Sequence, residues 1–267
     1  MIKKWEDGLF YELDTNNFTA TIIDSYKSSK DVLIPRSVKY QSSNYLITSI
    51  GDNSFMNNHN INSLIFSEDS ELQIIGKRAF SQSSLTKITI PKSVTRIEEK
   101  AFYLSELLEI IIPEDSKLEW IGPSAFSFSY ITEIFLPKKI RIIEEKTFDS
   151  CSSLFYVHFP NDSELISICE NGFSWGRMDS FYFLQNLSKI GENWAICTTN
   201  LTYVTIDPLN PYFKYFKIDE DFQMIIGKYD QNSEVYDTLV FAPRDTLNGE
   251  GYSTAFDIVI PSFIKYI

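Results

Sequence analysis

The sequence predicts a mostly β repeat protein, a solenoid of stacked parallel strands joined by short turns or 3-10 segments. Three observations predict it. The stretch at residues 85–102, LTKITIPKSVTRIEEKAF, recurs with variation along most of the chain. Its strand-ending prolines return at steps of 22, 24 and 23 residues through Pro91, Pro113, Pro137 and Pro160. Its closing aromatics, Phe55, Phe80, Phe102, Phe126, Phe148 and Phe173, return at steps of 25, 22, 24, 22 and 25. Units of this length bury their apolar faces only against their neighbours, so they stack in one dimension.

Within a unit the pattern is physical. Leu85, Ile88 and Ile90 point inward, the last two at the strand period of two. Pro91 lacks an N–H and ends the strand where no donor is needed. Val94 and Ile97 form a second inward pair on the opposite wall. Ala101 and Phe102 close the coil, and stacked copies of that ring are expected to form an aromatic spine through the core.

Taken in order, residues 1–30 do not follow the repeat. GLFYELD and FTATIID are two alternating runs separated by Thr15, Asn16 and Asn17, which reads as a β-hairpin cap. A first rung needs such a cap, because it otherwise exposes an apolar end and an unpaired edge. The solenoid is expected over residues 31–207. Its first step, from Pro35 to Ser67, is 32 residues and carries an insertion around QSSNY. Every second unit has a longer turn: SEDSEL at 67–72, PEDSKL at 113–118 and PNDSEL at 160–165. The full period is therefore a pair of units of about 46 residues, as duplication of a pair would leave. The Asp-Ser dipeptides suit turns closed by side-chain to backbone bonds, and they lack the ligand density of a calcium loop. Ala195 after Trp194 is the weakest closing pair. At 208–254, FKYFKID, FQMIIGK and DTLVFAP read as an inserted β-meander. TAFDIVIPSFIKYI at 254–267 contains a restarted repeat, expected over 255–267. It stops before any Ala-Phe, so the chain is expected to be a piece of a longer protein or its last strand to be capped in another way.

Composition removes several function classes. The net charge of −12 over 267 residues argues against nucleic acid, which demands a basic footprint, and against docking to anionic lipid. MIKKWEDG is not a signal peptide, and no apolar run is long enough to span a membrane. Cys151, Cys169 and Cys197 are odd in number and form no C-x-x-C, so neither a disulfide framework nor a zinc site is indicated. Sequons at Asn17, Asn161, Asn186 and Asn200 permit a secretory route without requiring one. His59 and His158 have no second ligand or nucleophile at a usable spacing. Paired acids such as Glu98-Glu99 and Glu144-Glu145 recur with the repeat, which marks a solvated face and not a glycosidase pair. No catalytic residues, metal or cofactor are expected, and the chain is not read as an enzyme.

The unit LxxIxIPxxVxxIxxxAF resembles the BspA-like, or treponemal-type, class of leucine-rich repeats. The match covers roughly residues 30–200 and 255–267, and its Ile-Pro, Val/Ile pair and Ala-Phe recur together at fixed spacing. The hairpin-led start and the DSEL turns are similar to protist members. The resemblance implies a curved parallel-β solenoid, displayed on a cell surface or secreted, with roles in adhesion to host cells, matrix proteins or other microbes. Ser67, Leu184 and Asp207 depart from the pattern by lacking the expected Pro.

The surface the repeat displays is then the candidate site. With Lys87 and Thr89 facing outward, the register gives two exposed columns. One contains Lys87, Glu109, Glu133, Tyr156 and Tyr203. The other contains Leu33, Ile65, Ile111, Phe135, His158 and Tyr182. An apolar, aromatic stripe of Ile111, Phe135, His158 and Tyr182, flanked by Tyr156 and Tyr203 and rimmed by Glu109 and Glu133, has the character of a partner-binding surface. Cross-strand stacking alone also selects such residues. The first reading is a non-enzymatic surface or secreted adhesin that takes a protein or glycan partner, on a host surface or in matrix, through its concave face. The alternatives are a cytoplasmic interaction scaffold and a self-associating module.

Overall fold

In the computed structural model, the described residues are 2–25, 29–217, 223–228 and 230–241, with 262, 264 and 265. They form an all-β solenoid of stacked parallel strands, with no helix of any kind among them. The connections are turns, not 3-10 segments. The restarted repeat expected over 255–267 lies almost wholly outside the described residues.

Three antiparallel strands open the chain: β1 (Ile2–Glu6), β2 (Leu9–Asp14) and β3 (Thr19–Asp24). The β1–β2 turn is Asp7-Gly8, both at positive φ, the pairing that suits a tight hairpin. Next come β4 (Asp31–Ile34), β5 (Ser37–Tyr40), β6 (Ser43–Ile50), β7 (Ser63–Phe66) and β8 (Ile74–Ile75). The segment around QSSNY is the β5–β6 hairpin, and β6 runs parallel to both β3 and β8. The N-terminal strands thereby continue one wall of the solenoid through β6.

From there short strands alternate between two walls. The display wall carries β9 (Lys87–Thr89), β11 (Glu109–Ile111), β13 (Glu133–Phe135), β15 (Tyr156–His158), β17 (Ser180–Phe183) and β19 (Tyr203–Ile206). The opposite wall carries two-residue strands: β10 (Arg96–Ile97), β12 (Trp120–Ile121), β14 (Ile142–Ile143), β16 (Ser167–Ile168) and β18 (Lys189–Ile190). With β4 and β7, the display wall has eight rungs. An antiparallel sheet follows, of β20 (Phe213–Lys217), β21 (Gln223–Gly227) and β22 (Thr238–Phe241). It packs on the end of the core: Phe213 meets Phe183 at 5.0 Å and Trp194 Nε1 donates to the Val240 carbonyl at 3.3 Å.

The core is the predicted spine. Successive pairs from Phe55 through Phe80, Phe102, Phe126, Phe148 and Phe173 stack at 4.9, 5.2, 5.3, 5.5 and 5.3 Å between centroids. All six rings are buried. Trp194 then fills the space beside Phe173, Phe181 and Phe183.

A third wall surrounds the spine and has its own backbone rule. The residues two before and two after each spine ring are left-handed, with φ between 54° and 60° for the six pairs from Asn53/Asn57 to Asn171/Trp175. None is glycine. The cost of that conformation is offset by cross-rung bonding that always runs the same way. Lys100, Phe102 and Leu104 donate to the carbonyls of Pro123, Ala125 and Ser127 at 3.0, 2.7 and 3.0 Å, and the other rungs repeat the scheme.

The alternation of unit length has a matching chemistry. Arg36 reaches Asp69 and Glu71, Lys92 reaches Asp115, and Lys138 reaches Asp162. Each basic residue after an Ile-Pro or Leu-Pro meets the Asp-Ser turn of the following rung. Those turns close locally: Ser70, Ser116 and Ser163 accept through Oγ from the amides of Leu72, Leu118 and Leu165.

Candidate functional site

Strand alternation positions the site. On the display wall the middle residue of each three-residue strand faces the core, and the two beside it face solvent, as in the exposed–buried–exposed pattern of β9, β11 and β13. Parallel register then stacks equivalent residues: Lys87 opposite Glu109, Glu133 opposite Tyr156, Phe135 opposite His158, Ser180 opposite Tyr203, Tyr182 opposite Thr205.

Large side chains on this wall are well exposed: Ile111 40%, Phe135 55%, Tyr156 51%, Tyr182 44% and Tyr203 66%. Leu33 and Ile65, on β4 and β7, extend the same column at 65% and 56%. His158 is half-buried, and Glu109 and Glu133 are exposed.

The structure divides these residues into three groups, because the hydrogen-bonded ladder of the wall falls into three sheets. Ile111 and Glu109 belong to the first, where Glu109 pairs with Lys87 at 2.8 Å. Glu133, Phe135, Tyr156 and His158 form the second. The imidazole of His158 stacks on Phe135 at 4.1 Å and 8°, and Tyr156 lies 6.0 Å from it. Its Nε2 lies 3.4 Å from Glu133 Oε2 without the geometry of a hydrogen bond. Tyr182 and Tyr203 belong to the third group. Tyr182 Oη donates to Asp207 Oδ2 at 2.8 Å, which pushes the phenol pKa up from its ordinary value. Tyr215, from β20, accepts the Ile206 amide at 3.0 Å. Asp207 and Tyr215 were not part of the sequence-based site; Asp207 stands where other rungs carry Pro, which was the available signal.

The arrangement offers contact area and scattered polar groups. Among the described residues no three His, Cys, Asp or Glu converge on a possible metal position, and no helix is long and apolar enough to cross a membrane.

Comparison with known proteins agrees with this geometry. Residues 34–154 and 119–217 match the BspA type leucine rich repeat region, in six copies. The chain belongs to the BspA-type leucine-rich repeat family. No curated protein matches the chain. Among solved structures it is similar to a leucine rich cell surface protein from Faecalibacterium prausnitzii, at 19% identity and TM-score 0.63, covering 91% of this chain and 62% of that one. It is also similar to the pneumococcal vaccine antigen PcpA, at 20% identity and TM-score 0.64, covering 91% and 56%. The leucine rich repeat protein of T. pallidum aligns at 18% identity and TM-score 0.56, covering 77% and 86%. These likenesses are of fold. The chain spans less than two thirds of the length of the first two.

Proposed function

We propose that the chain is a non-enzymatic binding protein, displayed at a cell surface or secreted, that adheres to host cells, matrix or other microbes through its display wall. Proteins built of leucine-rich repeats generally act by binding other proteins. The observation that carries the reading is the run of large apolar and aromatic side chains exposed on consecutive rungs, from Ile111 to Tyr203. A solvated wall has no need of such a run, and exposed apolar patches of this kind mark contact surfaces. Glu109 and Glu133 rim it, which suits a partner with a polar or basic border. The names of two similar structures, a cell surface protein and a vaccine antigen, support the location.

The test is adhesion of the labelled chain to matrix-coated wells and to intact cell monolayers. Wild type is compared with the double variant Phe135→Ala and Tyr182→Ala. Saturable binding that the double variant loses is expected. Equal binding by both proteins, or no binding to any surface, overturns the proposal.

A further inference from the structure

The wall of left-handed turns holds a depression of about 470 Å³, within the size range of small-molecule sites. It spans three rungs, and its origin is legible position by position. Two residues before the spine ring, the outer rungs carry Lys100 and Lys146 while the middle rung carries Ser124. One position earlier they carry Glu99 and Glu145, and the middle rung Pro123. The middle rung is thus cut back between two rungs of long side chains. Lys100 and Lys146 stand two rungs apart, about 10 Å at the usual strand spacing.

The walls of this slot are electrically neutralised. Lys146 pairs with Glu145 at 2.9 Å, Lys100 with Glu99 at 3.5 Å, and Glu99 also with Lys77 at 2.7 Å. The lysine and glutamate heads of the walls are thus matched with one another. The floor is polar: Ser124, only 9% exposed, lines it at the cut-back middle rung. A third side is aromatic. Phe128 is 43% exposed although its backbone is left-handed at φ 60°, and Tyr103 meets it edge-on at 5.8 Å. A bulky residue in that conformation is uncommon. Asp149 completes the lining, half-buried beside Ser127, with its carboxyl pushed up by burial.

We propose that this slot binds one pyranose ring of a neutral carbohydrate. The ring's C–H face packs on Phe128. Its hydroxyls, each both donor and acceptor, meet the Ser124 hydroxyl, the Asp149 carboxylate and the lysine and glutamate heads of the walls. A neutral polyol fits a lining of paired charges better than an anion or a cation does. The site lies on a different wall from the exposed stripe and does not depend on the adhesion reading.

Saturation-transfer NMR on the whole chain with lactose, cellobiose and N-acetylglucosamine as probes tests it. Ser124→Lys gives the middle rung the residue both neighbours carry at the same left-handed position, so it fills the slot without emptying the core. Phe128→Asn removes the aromatic face and suits the backbone. Wild type is expected to bind at least one probe with a Kd on the order of 1 mM, and each variant about tenfold or more weakly, with unchanged circular dichroism and melting. Absence of transfer to all three probes, or transfer that survives Ser124→Lys undiminished, overturns the proposal.

Discussion

The imidazole of His158 lies face to face with the ring of Phe135, 4.1 Å between centroids and 8° from parallel, on adjacent rungs of the display wall. The two side chains support one another from outside the core, Phe135 remaining 55% exposed. A double-mutant cycle of Phe135→Ala and His158→Ala, followed by urea unfolding, is expected to give a coupling of about 0.5–1.5 kcal/mol. A coupling of zero would show that the stack contributes nothing to the fold.

Inside the spine the same ring chemistry weighs far more. Phe126 is fully buried and stacked on both sides, at 5.3 Å to Phe102 and 5.5 Å to Phe148. Phe126→Ala is expected to destabilise by about 3–5 kcal/mol through transfer and cavity terms. Phe128→Ala, two residues on and exposed, should cost little. Hydrogen exchange should show the loss spreading from the rungs of Phe102 and Phe148, because a solenoid is coupled through nearest neighbours.

Two glycines separate close backbone approach from ordinary turn chemistry. A Cβ on Gly191 would lie 2.5 Å from the Glu170 amide nitrogen and 2.7 Å from the Cys169 carbonyl carbon, both backbone atoms. On Gly176 the nearest atom is 3.2 Å away and the next 3.8 Å. Gly191→Ala is therefore expected to lose about 1–3 kcal/mol by forcing the rungs apart, and Gly176→Ala to lower the melting temperature much less. Equal melting temperatures would contradict the close-approach argument.

Stability should fall at high pH. Burial pushes the Cys151 thiol up to about 12, and burial likewise raises Tyr11. Both groups ionise more readily in the unfolded chain. Above about pH 9 the unfolded state binds fewer protons than the native state, so stability declines as pH rises toward the folded values. Urea midpoints at about pH 8 and about pH 10.5 should show the decline. Cys151→Ser, which copies Ser83, Ser105 and Ser129 at the same place in earlier rungs, should remove part of it. Native Cys151 should also resist thiol reagents that modify it at once in urea.

The cross-rung ion pairs carry a different expectation. Lys138 holds the Asp162 carboxyl below its usual range, and Asp162 raises Lys138 in turn, but both side chains are exposed. Exposed pairs are weak and screened by salt. Lys138→Ala should leave the urea midpoint nearly unchanged, with any difference vanishing as salt is added. A large, salt-insensitive loss would mean that these pairs set the register of the rungs.

Much of this was legible in the sequence because the repeat constrains it. The spine from Phe55 to Phe173, the inward pairs such as Val94 and Ile97, and the facing of Lys87 and Thr89 all follow from period and alternation. The strand β1 was not, since IKKWE mixes charge into a short run whose only clear signal is the Asp7-Gly8 turn. The left-handed pairs were invisible, because Arg78, Leu104, Phe128 and Trp175 carry no propensity for that conformation; bonds from the neighbouring rung impose it. In the candidate site, the stacking of Phe135 on His158 follows from register. The break of the wall into three sheets and the reach of Tyr182 to Asp207 do not, because both depend on local twist and on side-chain length across rungs.

Light-scattering mass measured over a wide concentration range tests most directly whether the exposed stripe is free for a foreign partner. Wild type and the double variant Phe135→Ala, Tyr182→Ala are compared, with circular dichroism to confirm that both are folded. Both are expected to be monomers at every concentration, the wild type at 30.9 kDa. An oligomeric wild type that the double variant reduces to monomer would contradict it, and would make the stripe a surface between copies of the chain.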